Sequence, residues 1–243
     1  MIKVVGSLKQ KKYRRLEGLS TIEGQKLIEE ALISKTPLHS AFFTEKSVED
    51  SPELLRNLKD GGVEIFSVSP GEMERLSPLK TPPGCLVVYK TDFKPVGNET
   101  GFVLAVNKIS DPGNLGTIIR TADWFGVSRI FLAEESAELH NPSTVRGSMG
   151  AVFRVPIFED SDLTEVISSL KSENYKVIVA STRGGNPPHK AEGKVAVLIG
   201  DEQGNLPEEL KSLADEEMTI LRIGNGESLN ISIASGILFY VLQ

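Results

Sequence analysis

Four near-continuous apolar runs in the second half of the chain, at residues 102–106, 129–133, 177–180 and 195–199, restrict the fold more than any other feature. They do not alternate apolar with polar residues, so neither face of such a strand can meet water, as in parallel strands covered on both sides. Helical stretches at 115–125, 162–172 and 207–213 lie between or after them. That alternation predicts an α/β domain with a mostly parallel sheet. A last helix is expected over 230–242, where Ile231, Ile233, Ile237, Leu238, Phe239 and Tyr240 make it apolar nearly all round. Such a helix is buried on several sides, and a partner subunit is one way to bury it. Ser232, Ser235 and Gly236 cluster on one side, where another backbone can approach closely.

The first 80 or so residues read as a smaller α/β unit. Residues 21–34 carry Ile22, Leu27, Ile28, Ala31 and Leu32 as a helical stripe, and 52–59 predict a second helix ended by Gly61-Gly62. Short strands are expected at 41–43, 63–66 and 85–89. Residues 91–101, with Pro95, Gly97 and Asn98, have the composition of a linker. The boundary is placed near residue 95, giving a small α/β substrate-binding domain at 1–95 and a catalytic domain at 96–243.

A chain of 243 residues, 40% hydrophobic and 25% charged, buries a core without staples. Its one cysteine, Cys85, sits beside Leu86-Val87-Val88 and reads as a buried strand residue rather than a nucleophile. No stretch approaches the roughly 20 apolar residues that span a bilayer, and the first residues lack the apolar core of a secretion signal; a cytoplasmic protein is expected. The net charge of −6 argues mildly against a polyanionic partner. Against it stands a local basic run of Lys9, Lys11, Lys12, Arg14 and Arg15 around Tyr13, which is either a solvated arm or an RNA-phosphate contact.

Three polar, glycine-bearing segments leave strand ends, where open α/β sheets bind ligands. The first, 107–117, is neither a P-loop nor a dinucleotide fingerprint, which removes nucleotide triphosphate sites and dehydrogenases. On the helix that follows, Arg120 and Trp124 project away from the apolar stripe of Leu115, Ile118, Ile119 and Ala122. Arg120 is solvated, paired with Asp123, or functional; Trp124 suggests an interface. The second segment, 198–207, is an ordinary acidic turn or part of a site. In the third, 220–230, Ser228 and Asn230 are helix caps or site residues. His39, His140 and His189 are scattered, so neither a catalytic triad nor a metal site is expected. The residues alone give a site at the strand ends and leave its reaction open.

Taken together, the three segments resemble the motifs of the SpoU family of RNA ribose 2′-O-methyltransferases, of the SPOUT class. Residues 114–126, beginning Asn114-Leu115-Gly116-Thr117, resemble the first motif; Gly200, Glu202 and Leu206 the second; Ser228-Leu229-Asn230-Ile231 the third. Residues 141–151, from Asn141-Pro142 to Gly150-Ala151, resemble a further family segment, and residues 1–90 the family's substrate-binding domain. Two departures stand out: Gln203 and Asn205 where glycines are usual, and Ile220-Leu221-Arg222 where Ile-Pro-Met is usual.

The resemblance implies a catalytic domain with a deep trefoil knot, S-adenosylmethionine as cofactor, and a homodimer formed through the catalytic domain. Carried over by position, Gly200, Ile220 and Leu229 contact the cofactor, and Asn114, Arg120, Glu202, Ser228 and Asn230 form the polar catalytic set. Lys9, Lys11, Lys12, Arg14 and Arg15 become an RNA-contacting arm. Ribosomal RNA is the expected substrate, with transfer RNA, or a non-catalytic RNA-binding module of the same fold, as alternatives.

Overall fold

The computed structural model describes residues 2–97, 100–226 and 228–243; Asn98, within the expected linker, lies outside them. The first unit runs α1 (Ile2–Ser7), α2 (Lys11–Glu17), β1 (Leu19–Glu23), α3 (Gln25–Ile33), β2 (Leu38–Phe43), α4 (Glu45–Asp50), α5 (Pro52–Asp60), β3 (Glu64–Ser67), α6 (Pro70–Leu76) and β4 (Cys85–Lys90). Its sheet has the order β1-β4-β2-β3, with only β2 and β3 parallel. One face packs against Leu27, Ile28 and Ala31 of α3 and Leu54 and Leu58 of α5. The other packs against Val5, Leu8, Met73 and Leu76.

The helix expected over 21–34 begins only at Gln25. Ser20, Thr21 and Ile22 pair with β4 instead, and Gly24, at φ 88°, breaks the chain between strand and helix. The branched side chains of Thr21 and Ile22 suit a half-buried strand better than a helix. Cys85 is buried in β4, and that burial pushes its thiol up to about 11, which leaves it inert near neutrality.

The second unit runs β5 (Phe102–Val106), α7 (Pro112–Trp124), β6 (Arg129–Leu132), α8 (Pro142–Ser148), β7 (Ile157–Phe158), α9 (Leu163–Ser172), β8 (Lys176–Ser181), β9 (Val195–Ile199), α10 (Glu208–Ser212), β10 (Glu216–Thr219) and α11 (Ile231–Leu242). Its six strands lie in the order β10-β8-β9-β5-β6-β7 and every pairing is parallel. Alternate residues of one strand serve opposite cores, as the apolar runs required. Leu104, Val106, Val197 and Ile199 meet α7 and α11, while Val103, Ala105, Ala196 and Leu198 meet α9 and α10. Each fully buried Leu or Ile contributes about 2 kcal/mol.

Helix α8 lies directly against α7. A Cβ added at Gly116 would sit 2.5 Å from the Thr144 carbonyl oxygen and 2.9 Å from the Gly147 Cα, so the two backbones touch where neither has a side chain. This contact fixes the start of α7 and everything it carries.

The two units meet across polar pairs. Arg154, which follows a 3-10 turn, donates to Asp123 of α7 and pairs with Glu30 of α3. The Ser20 hydroxyl donates to the His140 carbonyl at 2.7 Å. The Tyr89 hydroxyl lies 3.0 Å from His140 Nδ1, and the Tyr89 ring meets Phe153 edge-on at 5.4 Å.

Burial pulls His140 down to about 4, a little offset by the Glu138 carboxylate. An unfolded histidine takes its proton near 6.5. Between those two pH values the unfolded chain binds more protons than the folded one, so stability falls as pH is lowered through that window. The expected loss from this residue is up to about 3 kcal/mol. Buried Glu159 and Glu23, held above the usual carboxylate range by burial, act in the opposite sense. Urea unfolding of the native protein and of His140→Asn, at pH 7 and pH 4.5, isolates the histidine: the variant should lose less on acidification. Equal losses would mean that the ring carries no such penalty.

Candidate active site

In a sheet whose strands all run one way, the segments after β5, β8, β9 and β10 emerge on a single edge. Strand order reverses between β5 and β9, since β5 leads outward to β6 and β7 while β9 stands between β5 and β8. A cleft of about 960 Å³ opens on this edge beyond the ends of β8, β9 and β10. Gly200, Ile220 and Leu229, the three residues assigned to the cofactor, all line it, together with Glu202 and Ser228.

Side chains tie the three segments to one another. Glu202 Oε1 accepts from the backbone N–H groups of Ser110 at 2.6 Å and Asp111 at 3.1 Å. The second segment therefore clamps the first. Asn230 caps α11 by accepting from Ser232 N at 2.9 Å, and its Nδ2 donates to Asn114 Oδ1 at 3.0 Å. The Ser232 hydroxyl donates to the same oxygen at 3.1 Å. Asn230 is thus both a helix cap and a bridge between the first and third segments. Lys108, in the first segment, holds φ at 56°, in the left-handed region that lysine seldom adopts, and pairs with Glu135.

The turn after β9 is closed on itself. Asp201 Oδ1 accepts from Gln203 N at 2.9 Å and Asn205 N at 2.8 Å. Burial works to raise the Asp201 carboxyl, but hydrogen bonds from Asn205, Gln203 and Gly204 outweigh it and hold the group below its usual range. A Cβ at Gly200 would sit 2.7 Å from the Asn205 carbonyl, so glycine is required there. Among the described residues of this turn only Gly204 has positive φ, 81°, and it is a glycine. Gln203 and Asn205 fall where a side chain is tolerated, so this departure leaves the turn intact. Leu221 and Arg222 are exposed, and Arg222 Nη1 donates to the Gly226 carbonyl at 3.1 Å, bracing the third loop. Glu227 of that loop lies outside the described residues.

Arg120 is not brought into the cleft. It lies six residues beyond Asn114 on α7, about 9 Å along the axis, exposed and, among the described residues, without a side-chain partner. Asp123, its expected alternative partner, is taken by Arg154. Trp124, one turn further along, is 85% exposed, and Ile233 and Tyr240 of α11 are also open to solvent. The helix expected to be buried on several sides is therefore buried on one: Ile231, Ser235, Leu238, Phe239 and Leu242 face inward. Gly236 meets Thr121 of α7.

The basic run is not a loose arm but the turn after α1 and the helix α2, capped by Gly18 at φ 62°. Lys9, Lys11, Lys12 and Arg15 are exposed. Arg14, expected among the RNA-contacting residues, is instead buried. It is 3% exposed, ion-paired with Glu138, and its Nη1 donates to the carbonyls of Leu8 and Lys9. One turn of a helix points one residue of such a run inward, and Arg14 is that residue.

Sequence reading missed Thr182 and Arg183, which follow β8 and line the cleft. The only signal was their place after an apolar run. It also missed the bridging role of Ser232.

The family signature of the SpoU rRNA methylases matches residues 101–240, more than half of the chain. The chain belongs to the SpoU rRNA methylase family. Residues 1–87 match an MRM3-like substrate binding domain. Over 97% of its length the chain is 29% identical to the 23S rRNA (guanosine(2553)-2′-O)-methyltransferase RlmP of Bacillus subtilis, covering 93% of that protein. An AdoMet-bound rRNA methyltransferase from Sinorhizobium meliloti superposes with a TM-score of 0.84 at 28% identity, over 98% of this chain and 92% of that one. The SpoU methyltransferase AviRb from Streptomyces viridochromogenes shares the fold, with a TM-score of 0.85 at 20% identity, over 98% of this chain and 95% of that one. Among the described residues, no cluster of metal-ligating side chains is present and no helix is long and apolar enough to cross a membrane.

Proposed function

We propose that this SpoU family chain transfers the methyl group of S-adenosylmethionine to a ribose 2′-hydroxyl of ribosomal RNA, in the cytoplasm. The observation that carries the reading is that the second and third family motifs line one cleft and the first is tied to both, through Glu202 to 110–111 and Asn230 to Asn114. The cleft fits the cofactor chemically. Ile220, Leu229 and Leu238 give it an apolar wall, the closed turn at 200–205 offers backbone groups, and no phosphate-gripping loop is present.

The bound cofactor supplies a methyl group already activated on a sulfonium, so the protein's task is orientation and stabilisation of charge. Glu202 holds the first segment in place, and Asn114, Asn230 and Ser232 fix the start of α7 against the start of α11. Arg120 binds the RNA phosphate beside the target ribose and stabilises negative charge developing on the 2′-oxygen. It does not act as a base, because guanidinium is effectively never deprotonated in proteins; as the S–CH3 bond breaks and the O–CH3 bond forms, the 2′-hydroxyl proton passes to solvent water and S-adenosylhomocysteine leaves. Ser228, exposed on the cleft wall, holds the ribose in register. Lys9, Lys11, Lys12 and Arg15 meet RNA phosphates, and Arg14 holds their helix in place. The domain division near residue 95 follows from the same reading, with 1–95 as the substrate-binding domain and 96–243 as a catalytic domain that contains a deep trefoil knot.

The working unit is a homodimer built on α7 and α11. Trp124, Ile233 and Tyr240 form its apolar contact, and Arg120 lies on the same helix one turn from Trp124, at the junction where a second copy would complete the site.

The test is incubation of the purified protein with labelled S-adenosylmethionine and either ribosomal or transfer RNA from a strain lacking it. Labelled 2′-O-methylnucleoside from ribosomal RNA alone is expected. Label in transfer RNA alone would replace the substrate class. Cofactor binding without label in free RNA or in ribosomal subunits would leave an RNA-binding module.

A further inference from the structure

We infer that Arg183 is a cofactor-binding residue that takes the carboxylate of S-adenosylmethionine; the inference rests on the proposed cofactor. The ionisable residues lining the cleft, among those described, are Arg183, Asp201, Glu202 and Arg222. Both carboxylates are already satisfied from within the chain, Glu202 by the N–H groups of Ser110 and Asp111, and Asp201 by those of Gln203 and Asn205. Neither has an arginine partner. Arg222 lies back on its own loop, donating to the Gly226 carbonyl. The Arg183 side chain is exposed on the cleft wall and, among the described residues, has no hydrogen-bond or ion-pair partner.

Its backbone, by contrast, is fixed. Arg183 N donates to the Ser181 hydroxyl at 3.3 Å, and that hydroxyl donates to the Arg183 carbonyl at 2.7 Å, just as β8 ends. The neighbouring Thr182 is wedged against Gly204, where a Cβ would approach its Cγ2 to 2.5 Å. A cation carried on a fixed backbone, lining a cleft whose own anions are occupied, favours a ligand that brings an anion. The proposed cofactor has one such group, the carboxylate of its methionyl end. A planar fork of N–H donors meets a carboxylate through two parallel bonds. That pairing sets the methionyl end toward the end of β8 and leaves the apolar wall of Ile220, Leu229 and Leu238 to the adenosine.

Isothermal titration calorimetry separates this from a general effect on the pocket. The ligands are S-adenosylmethionine, S-adenosylhomocysteine and 5′-methylthioadenosine, of which the last lacks the amino-acid end. For Arg183→Ala, affinity for the first two is expected to fall about fivefold, as for a solvent-accessible ion pair. Affinity for 5′-methylthioadenosine should stay within about twofold, and Arg183→Lys should restore part of the loss. Equal weakening for all three ligands, or no change for any, overturns the inference. Unchanged affinity for all three together with a raised KM for RNA would reassign Arg183 to the nucleic acid. A wild-type protein that binds none of the three would instead overturn the proposed function, an outcome distinct from a variant that binds as well as wild type.

Discussion

Arg120→Ala should lower methyl transfer by a factor on the order of 10² to 10³, the cost of removing one preorganised donor from a site of developing charge. The loss should appear without loss of fold. Arg120 is exposed, and among the described residues its side chain makes no hydrogen bond or ion pair, so unfolding free energy should move by no more than about 0.5 kcal/mol. Cofactor affinity should also hold, since Arg120 does not line the cleft. Arg120→Lys keeps the charge and removes the planar fork, and should recover only a small part of the rate. Single-turnover rates with saturating cofactor, beside calorimetric Kd values, distinguish the cases. A lysine variant with full activity would reduce the role to simple charge. An alanine variant with full activity would remove Arg120 from the reaction.

The parts of this fold that the sequence announces are those whose residues answer to one demand. The runs in β5, β8 and β9 must be apolar on both faces, and that shows as an unbroken stretch. Strand β1 answers to two patterns at once: its Ile22 also falls on the helical stripe of α3, and only the pairing of 19–23 with 86–90 decides between them. Strand β7, with two residues, is too short to carry a period. In the site, the motifs marked Asn114, Glu202 and Asn230, but not what each one holds. The partners of Glu202 are backbone N–H groups some 90 residues earlier, which no side-chain pattern encodes. Ser232 read as a small residue at a helix contact, and its hydroxyl proves to be a bridge to Asn114. The two families of glycine are told apart only in three dimensions: Gly204 is needed for its positive φ, Gly116 and Gly200 for the atoms a Cβ would strike.

The basic run shows the same limit, and the largest effect expected on stability. Composition cannot say that Arg14 differs from Arg15, because what separates them is Glu138, 124 residues away. The side chains are 3% and 9% exposed, and Arg14 Nε donates to the second carboxylate oxygen at 3.1 Å. Glu138→Ala leaves a guanidinium in the interior with two carbonyls and no counter-charge. Breaking one side of a buried pair costs about 3–5 kcal/mol, which for a chain of this size lowers Tm by about 10 °C. Replacing both partners with apolar residues, Arg14→Met with Glu138→Leu, should return most of that loss, since no charge is then stranded. Thermal unfolding of the two single variants and the double variant measures the coupling, and a Glu138→Ala shift below about 2 °C would mean that water reaches the pair. The consequence for RNA is indirect. Arg14 ties α2 to the segment that leads into α8, and α8 touches α7 at Gly116, so loosening the pair frees the helix that displays Lys11, Lys12 and Arg15. Expected for Glu138→Ala below its Tm is a raised KM for RNA with an unchanged Kd for the cofactor. The salt dependence of RNA binding should keep its slope, because no phosphate-contacting cation is lost, whereas Lys12→Ala should reduce it by about one counterion.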